Sequence, residues 1–236
     1  MQNKQDGRSC KFVSFSGIDG AGKSTQIANL RARLQEAGLR VALITFWDDV
    51  ARLKGIREGA GHTLFKGEKG VGSPEKPVNR RDKNVRSWPM SLVRLGLYLV
   101  DAVSLRSTVG KALRSGADFV ICDRYIYDEL ANLNLGNPAT RVYVRMIMRL
   151  VPRPDVSYFL DADPVAARAR KPEYPLDFLY ISRASYFALI KLIGGITVIA
   201  PMSIRDAARE VMRHALTVLS SEELRNLPTE SLVGER

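Results

Sequence analysis

The chain has 236 residues, and 36 lysine and arginine residues against 25 acidic residues give it a net charge of +11. This length allows one substantial core, and the basic charge favours anionic partners such as nucleotides, phosphorylated substrates, nucleic acid or an acidic membrane surface. Cys10 and Cys122 show neither metal-ligand spacing nor a disulfide framework, which is typical of the reducing cytoplasm. The N-terminus lacks a signal-peptide core, and charged or glycine residues interrupt the longer apolar stretches. We therefore expect a cytoplasmic protein without a membrane span.

A strand, a glycine-rich loop and a helix are predicted at the start of the chain. The apolar run 11–15 predicts a buried strand, and helical spacing from Gln26 to Ala37 ends at Gly38. Between them, residues 15–26 read FSGIDGAGKSTQ and contain the pattern G-x-x-x-x-G-K-[ST] of a phosphate-binding loop. Glycines let such a loop aim its backbone N–H groups at phosphate oxygens. We therefore predict that the chain binds a nucleoside triphosphate.

Each fixed position of this loop has a predicted role. Lys23 reaches the β- and γ-phosphates, Ser24 offers its hydroxyl to magnesium, and the following helix presents the positive end of its dipole. ATP and Mg²⁺ are the expected cofactors. The predicted nucleotide contacts in the loop are Gly17, Asp19, Gly20, Ala21, Gly22, Lys23, Ser24 and Thr25.

The middle of the chain contains two further predicted strands and a long loop. Residues 41–46 are apolar and β-branched enough for a second buried strand. Glycines and prolines then replace periodicity over 52–86, which predicts a long basic insertion loop. Helical spacing returns from Trp88 to Leu113, and 119–122 predicts a third strand.

The rest of the chain continues to alternate strands with helices. The predicted helices are 138–150, 164–170, 176–192 and 203–219, and the predicted strands are 156–160 and 196–200. Alternation of this kind predicts an α/β protein with a three-layer P-loop NTPase fold, in which helices flank a mostly parallel five-stranded sheet. We expect one P-loop domain over 1–220 and a polar C-terminal tail over 221–236.

Two further sites with charged residues are predicted. One is acidic and lies at the end of a strand, and the other is basic and lies at the end of the short helix 164–170. Asp123 ends an apolar strand, where its carboxylate can hold Mg²⁺ beside Ser24, or alternatively cap the next turn. A short lid is predicted over 168–176, with Arg168 contacting the nucleotide and Arg170 stabilising the transition state. The alternative for this lid is a solvated basic helix end.

The loop sequence at 15–26, together with Asp123-Arg124-Tyr125, resembles thymidylate kinase. Similarities continue through 160–164, through Arg183 and Tyr186, and through 199–203. The resemblance implies a nucleoside-monophosphate-kinase fold and a homodimer formed through the helix after Trp88. It also implies roles for single residues. Asp19 faces the acceptor, Tyr98 stacks on thymine, Arg124 binds phosphate, and Pro201 and Met202 surround adenine.

The sequence departs from the family at the acceptor side. The family's proline and basic residue after the second strand are replaced by Trp47-Asp48-Asp49, and Asp101 or Ala102 stands where the family carries an arginine. Arg94, Arg106 or the basic residues within 80–86 are candidate replacements for these phosphate ligands. The predicted acceptor-binding residues are Trp47, Tyr98, Asp101, Arg106, Arg124 and Tyr125.

The predicted function is an ATP- and Mg²⁺-dependent phosphotransferase that converts dTMP or a related nucleoside monophosphate to its diphosphate. Its predicted catalytic residues are Lys23, Arg124, Arg170 and Asp19. One alternative is a kinase of another acceptor, such as a nucleoside, a sugar or another hydroxyl compound. A second is a nucleotide-dependent binding or regulatory module with little turnover. We do not expect nucleic acid as a partner, because the basic loop lacks interleaved stacking aromatics.

Overall fold

The computed structural model describes residues 9–50, 88–221 and 225. The strands are β1 (Lys11–Ser16), β2 (Val41–Thr45), β3 (Phe119–Asp123), β4 (Val156–Leu160) and β5 (Thr197–Ile199). The helices are α1 (Lys23–Glu36), α2 (Trp88–Leu113), α3 (Ile126–Leu130), α4 (Pro138–Leu150), α5 (Pro164–Arg170), α6 (Leu176–Ile193) and α7 (Ile204–Leu216). A π-helix, Phe46–Val50, directly follows β2.

The five strands form one parallel sheet in the order β2-β3-β1-β4-β5. In the central strand, Phe15 is in register with Asp123 on one side and with Tyr158 on the other. The carboxyl ends of β1, β3 and β4 therefore meet at one edge, where parallel α/β sheets bind their ligands. The predicted fold class, with its mostly parallel five-stranded sheet, is confirmed.

Helices cover both faces of the sheet, because the strands are apolar on both sides. Phe15 and Tyr158 face α1 and α7, and their rings lie 4.9 Å apart. The Tyr158 hydroxyl donates to the Val211 carbonyl at 2.6 Å, so this ring is both buried and satisfied. On the opposite face, Phe12 and Phe159 contribute to the core under α2, α3 and α6. These two cores hold the carboxyl edge of the sheet in place from both sides.

Most predicted elements lie where the sequence places them, and the differences have local causes. The helix α3 was not predicted, since it has five residues, all of them buried, and therefore shows no amphipathic period. Strand β2 ends at Thr45 and Phe46 begins the π-helix, because the Asp49 side chain accepts the Thr45 N–H at 2.7 Å. Helix α7 ends at Leu216 rather than at residue 219.

The predicted insertion loop over 52–86 and most of the predicted tail over 221–236 lie outside the described residues. The side chain of Arg94 lies outside them as well. Within the part of the chain that the structure describes, no helix combines the length and the apolar character needed to cross a membrane.

We predict that Asn137→Ala lowers the free energy of unfolding by about 1 kcal/mol, as expected for loss of an N-cap. The Asn137 side chain accepts the Ala139 N–H at 2.9 Å at the start of α4, far along the chain from the phosphate-binding loop. Urea unfolding would measure the loss, and kinase turnover should be unchanged. Equal stability of the two proteins would show that water replaces this cap.

Candidate active site

The loop between β1 and α1 is shaped by glycines that take conformations other residues avoid. Gly17 and Gly20 have φ angles of 150° and 80°. A Cβ atom at Gly17 would lie 2.6 Å from the Leu160 carbonyl oxygen, and one at Gly20 would overlap the Ala167 carbonyl oxygen. The loop is therefore pressed between the end of β4 and the helix α5, and a side chain at either position would displace a neighbouring backbone.

The first turn of α1 is open to an anion. Its N-cap, Gly22, has a left-handed backbone with φ 88° and provides no side-chain cap. A Cβ at this position would meet nothing within 4 Å. Because the first N–H groups of a helix carry partial positive charge, this geometry fits a phosphate group. Ser24 and Thr25 are exposed beside it, so the Ser24 hydroxyl can reach a phosphate-bound metal.

Lys23 lies inside the loop instead of extending into solvent. Its ammonium group donates to the carbonyl oxygens of Gly17 and Ile18, both at 2.9 Å. The side chain is buried, with 7% of the residue exposed. Burial, followed by the positive charge of Arg124, lowers the pKa of Lys23 to about 8, although nearby carboxylates oppose this shift. The loop thus holds a positive charge at the place where phosphates are expected.

Arg124 bridges two carboxylates at the end of β3. Its backbone N–H donates to the Phe15 carbonyl at 3.0 Å. Its guanidinium forms ion pairs with Asp19 of the loop and, at 3.1 Å, with Asp128. Burial disfavours the charge of Arg124, but the two carboxylates outweigh it and raise the pKa of Arg124. Burial likewise opposes ionisation of Asp19, and Arg124 and Lys23 outweigh it and lower the pKa of Asp19. The Arg124 guanidinium and the Asp19 carboxylate are therefore both charged.

Asp123 lies at the same edge of the sheet, half-buried at the last position of β3. Burial raises its pKa above the ordinary value, against the opposing charges of Arg124 and Lys23. A partly buried carboxylate next to two cations and the phosphate-binding loop has the chemistry of a group that holds Mg²⁺ together with Ser24. This role remains a prediction.

Several proteins that are similar to this chain in sequence are named thymidylate kinase or probable thymidylate kinase. The chain is 30% identical over 169 residues to the thymidylate kinase of Prochlorococcus marinus (strain MIT 9312), which spans 70% of this chain and 73% of that protein. It is 31% identical over 188 residues to the probable thymidylate kinase of Staphylothermus marinus, spanning 76% of this chain and 81% of that protein. The chain belongs to the thymidylate kinase family.

A solved structure supports the fold. The crystal structure of thymidylate kinase from Ehrlichia chaffeensis superimposes with a TM-score of 0.57, covers 89% of this chain and 99% of that chain, and is 19% identical in sequence. No family model matches the chain. The resemblance to thymidylate kinase drawn from residues 15–26 and Asp123-Arg124-Tyr125 is confirmed.

The predicted lid of this family member, 168–176, starts within α5, and this helix lies against the loop at Gly20. Asp163 caps the helix by accepting the Ala166 N–H at 2.9 Å. Arg170 is exposed, and its Nε donates to the Ala166 carbonyl of its own helix at 3.2 Å. Arg168 is half-buried. Lys171, just beyond the helix, helps to lower the pKa of Asp19 and thus adds positive charge at the loop.

Three of the residues predicted to bind the acceptor lie on the π-helix and on α2, which pack together. Trp47 is half-buried and meets Phe46 edge-on, with ring centroids 5.4 Å apart. Tyr98 and Asp101 are both buried on the core-facing side of α2. The structure brings Trp47, Tyr98 and Asp101 to two elements in contact, and their acceptor-binding roles remain predictions. Pro201 and Met202 are exposed just after β5, and their role at adenine also remains a prediction.

The structure places Arg106 away from the other residues predicted to bind the acceptor, and its role there remains a prediction. Its guanidinium donates to the Leu150 carbonyl at 3.2 Å, at the end of α4. Helix α2 runs from the carboxyl edge of the sheet back to the start of β3. Arg106 lies eight residues after Tyr98, a rise of about 12 Å along the helix. The spacing gives this distance, but the sequence alone did not show that Arg106 contacts the end of α4.

Tyr125, also predicted to bind substrate, has its side chain in the core, and its role remains a prediction. The residue is fully buried, and its hydroxyl donates to the Pro152 carbonyl. Its ring contacts the rings of Phe12 and Tyr127, with centroids 5.8 and 4.8 Å away. Tyr125 therefore packs in the core under the sheet, although its neighbour Arg124 points into the site.

Sequence reasoning missed an ion pair that fastens the end of β4. Arg183 on α6 binds Asp161 through two parallel hydrogen bonds, from Nε to Oδ1 at 2.6 Å and from Nη2 to Oδ2 at 2.7 Å. The guanidinium also lies over the Phe187 ring, 5.2 Å from its centroid. The resemblance singled out both Asp161 and Arg183, but no pattern in the sequence pairs residues 22 positions apart.

Proposed function

We propose that the protein transfers the γ-phosphoryl group of ATP to dTMP, with Mg²⁺, and releases the diphosphate and ADP. The observation that carries this proposal is the cluster of Lys23, Arg124 and Asp19 at an uncapped helix N-terminus. Curated relatives named thymidylate kinase support the choice of acceptor.

The loop supplies binding and charge for the transfer. Its glycines and the first turn of α1 would bind the phosphates, and Lys23 would exchange the Gly17 and Ile18 carbonyls for phosphate oxygens. Ser24 and Asp123 would hold Mg²⁺. When bound, Mg²⁺ neutralises the charge that develops on the phosphates. Such transfers depend on positioning and electrostatic stabilisation more than on covalent catalysis.

Arg124 and Asp19 would act on the side of the acceptor. The Arg124 guanidinium, which pairs with Asp19 of the loop, would contact a phosphate at the carboxyl edge, where its charge would stabilise the transferring group. A phosphate monoester carries between about one and a half and two negative charges at neutral pH, so the acceptor needs little help from a base. Asp19 would therefore not be needed as a base that removes a proton.

An assay of ADP release with magnesium-ATP and a panel of acceptors tests the proposal. We expect rapid turnover with dTMP, weaker turnover with other nucleoside monophosphates, and none with nucleosides or sugars. ATP binding without turnover on any monophosphate would reject the proposal.

A second candidate function is transfer to an acceptor without a phosphate group. It is favoured by Asp48 and Asp49 after β2, where carboxylates would repel a phosphate, and by the buried carboxylate of Asp101 on α2. Turnover with a nucleoside or sugar in the same panel, and none with dTMP, would establish this function instead.

A homodimer formed through α2 and α4 is also part of the proposal. Apolar side chains are exposed on these two packed helices, among them Val103 with 60% and Val142 with 64% of the residue exposed. Neighbouring apolar residues, Leu99 and Met146, extend this surface. A contiguous apolar surface of this kind is typical of a protein–protein interface.

We predict that Val103→Glu converts the dimer to a monomer, because a carboxylate would be buried without a partner in the interface. Light scattering over a range of concentrations measures the mass. The control is Ile181→Glu on α6, an equally exposed apolar position outside this surface, which should leave the mass unchanged. A parent protein that is monomeric at every concentration would contradict the proposed dimer.

A cytoplasmic location completes the proposal. Cys10 and Cys122 are both free thiols, and Cys122 is buried. Free cysteines are expected where glutathione and thioredoxin keep thiols reduced. Imaging of a tagged protein in cells would test this location.

A further inference from the structure

A buried carboxylate on α3 accepts hydrogen bonds from four directions. The Asp128 side chain is 3% exposed. Its Oδ1 accepts from Arg124 at 3.1 Å and from the Tyr186 hydroxyl at 2.8 Å. Its Oδ2 accepts from the Ser16 hydroxyl at 2.6 Å and from the Tyr125 N–H at 3.2 Å. Asp128 is thus fixed by β1, α6 and the turn after β3, and both of its oxygens are fully used.

Arg124 is fixed on the protein side by its backbone as well. Among the described residues other than glycine, Arg124 is the one with a positive φ, at 64°. Its carbonyl oxygen accepts from the Cys122 thiol at 3.0 Å, and the Tyr125 N–H that follows binds Asp128. A residue other than glycine keeps a left-handed backbone conformation only where contacts with the surrounding structure compensate for the strain. Asp128 therefore contacts both the side chain of Arg124 and the turn that directs it.

The two carboxylates that bind Arg124 differ in their surroundings. Asp19 lies on the phosphate-binding loop with 17% of its side chain exposed, so a ligand can reach its contact with Arg124. Asp128 is enclosed by Ser16 and Tyr186, and a ligand cannot replace it without opening the core.

We propose that Asp128 is a positioning residue that holds the Arg124 guanidinium at the phosphate site, while Asp19 is the partner that an incoming phosphate displaces. One edge of the guanidinium stays on Asp128 when the other edge turns to the phosphate. The proposal rests on the proposed function, since it is a phosphoryl group that would take the place of Asp19. Small errors in the placement of such a group have large effects on rate.

The first test compares Asp128→Asn with a matched control. The amide has nearly the same shape but lacks the charge and one acceptor, so Arg124 loses its fixed partner. We expect kcat to fall about 100-fold, as for loss of a preorganised charge contact, while KM for ATP changes less than about threefold. The control is Asp155→Asn, whose carboxylate accepts the Phe12 N–H at 2.7 Å at the opposite edge of the sheet. Its kcat should stay within about twofold of the parent. Equal kcat in parent and Asp128→Asn would overturn the proposal.

A double-mutant cycle with Arg124→Ala asks whether Asp128 acts through Arg124. If it does, adding Asp128→Asn to Arg124→Ala should lower kcat by no more than about threefold further. A further fall by the full factor of the single variant would show an independent role and overturn the proposal. Should Asp128→Asn fail to unfold cooperatively, Tyr186→Phe replaces it, because it removes one hydrogen bond from Oδ1 and keeps the ring. A fewfold lower kcat with the same non-additivity is then expected, and an unchanged kcat overturns the proposal.

A measurement that does not depend on phosphoryl transfer can test the positioning role of Asp128 independently of the proposed function. In ¹⁵N spectra of the parent, a guanidinium held by two carboxylates should rotate slowly and give separate Nη signals, assigned by their loss in Arg124→Ala. Asp128→Asn should merge them, and Asp155→Asn should not. Separate signals in Asp128→Asn would overturn the positioning role, whether or not the parent phosphorylates dTMP.

Discussion

Replacing Lys23 with methionine is expected to lower phosphoryl transfer by about 10³-fold, since the loop loses the cation that stabilises the transferring phosphate. The fold should survive the change. Lys23 makes its hydrogen bonds within the loop, to Gly17 and Ile18, and methionine fills a similar volume without a charge. Turnover with dTMP at saturating ATP measures the effect. The control is Asn137→Ala, which is purified and assayed in the same way and should turn over normally. Parent-like turnover would remove Lys23 from the mechanism.

The same substitution should stabilise the nucleotide-free protein at neutral pH. The pKa of Lys23 is about 8 in the folded state, against an ordinary value of 10.5. Below the folded pKa both states are protonated, and the penalty for burying the charge, on the order of 3 kcal/mol, is fully present. Between the two pKa values the unfolded state binds more protons, so the free energy of unfolding of the parent rises with pH.

Urea unfolding of Lys23→Met and the parent, from about pH 7 to about pH 10, tests this linkage. The variant should be more stable by about 2 kcal/mol near neutral pH, after the two lost hydrogen bonds are deducted. Its advantage should shrink as pH rises through the folded pKa. The difference between the two proteins cancels the contributions of other titrating groups. A constant difference across this range would show that Lys23 is solvated.

Gly20→Ala is expected to destabilise the nucleotide-free protein by about 3 kcal/mol, through left-handed strain and a backbone clash together. The new Cβ would overlap the Ala167 carbonyl, so α5 would have to move away from the loop. The change should also raise KM for ATP, because the loop would no longer keep the geometry that binds phosphate.

Gly22→Ala is the matched control for the stability measurement. Gly22 has nearly the same φ, 88° against 80°, but a Cβ there meets nothing within 4 Å. It should therefore lose about 1–2 kcal/mol, from strain alone. Urea unfolding without nucleotide gives both values. Equal losses in the two variants would contradict the contact between α5 and the loop.

The sequence predicts this fold well because each strand is a short apolar run and most helices begin or end at a recognisable cap. The bounds of β4, α4 and α5 agree with the prediction. Helix α3 escapes it, since five buried residues carry no period. Local sequence patterns predicted the secondary structure well, but they did not predict how the helices are oriented relative to the sheet.

Some residues of the candidate site could likewise be predicted from the sequence, and others could not. The contiguous motif around Lys23 and the pair Asp123-Arg124 could be found by reading, and the structure brings them to one edge of the sheet. Arg106 was a candidate replacement for a phosphate ligand and Tyr125 came from the Asp-Arg-Tyr resemblance, and the structure places both side chains away from the other predicted site residues. Asp128 could not be found by spacing, because Tyr186 lies 58 residues away from it.

The ion pair between Asp161 and Arg183 fixes both ends of the segment that contains the predicted lid. It joins the end of β4 to α6 and so closes the intervening segment, which includes α5, into a loop of fixed ends. The chain entropy of closing that loop is already spent in the nucleotide-free protein. Any movement of α5 away from Gly20 would therefore be a rotation between two anchored ends, and less additional chain entropy would be lost when the segment closes again.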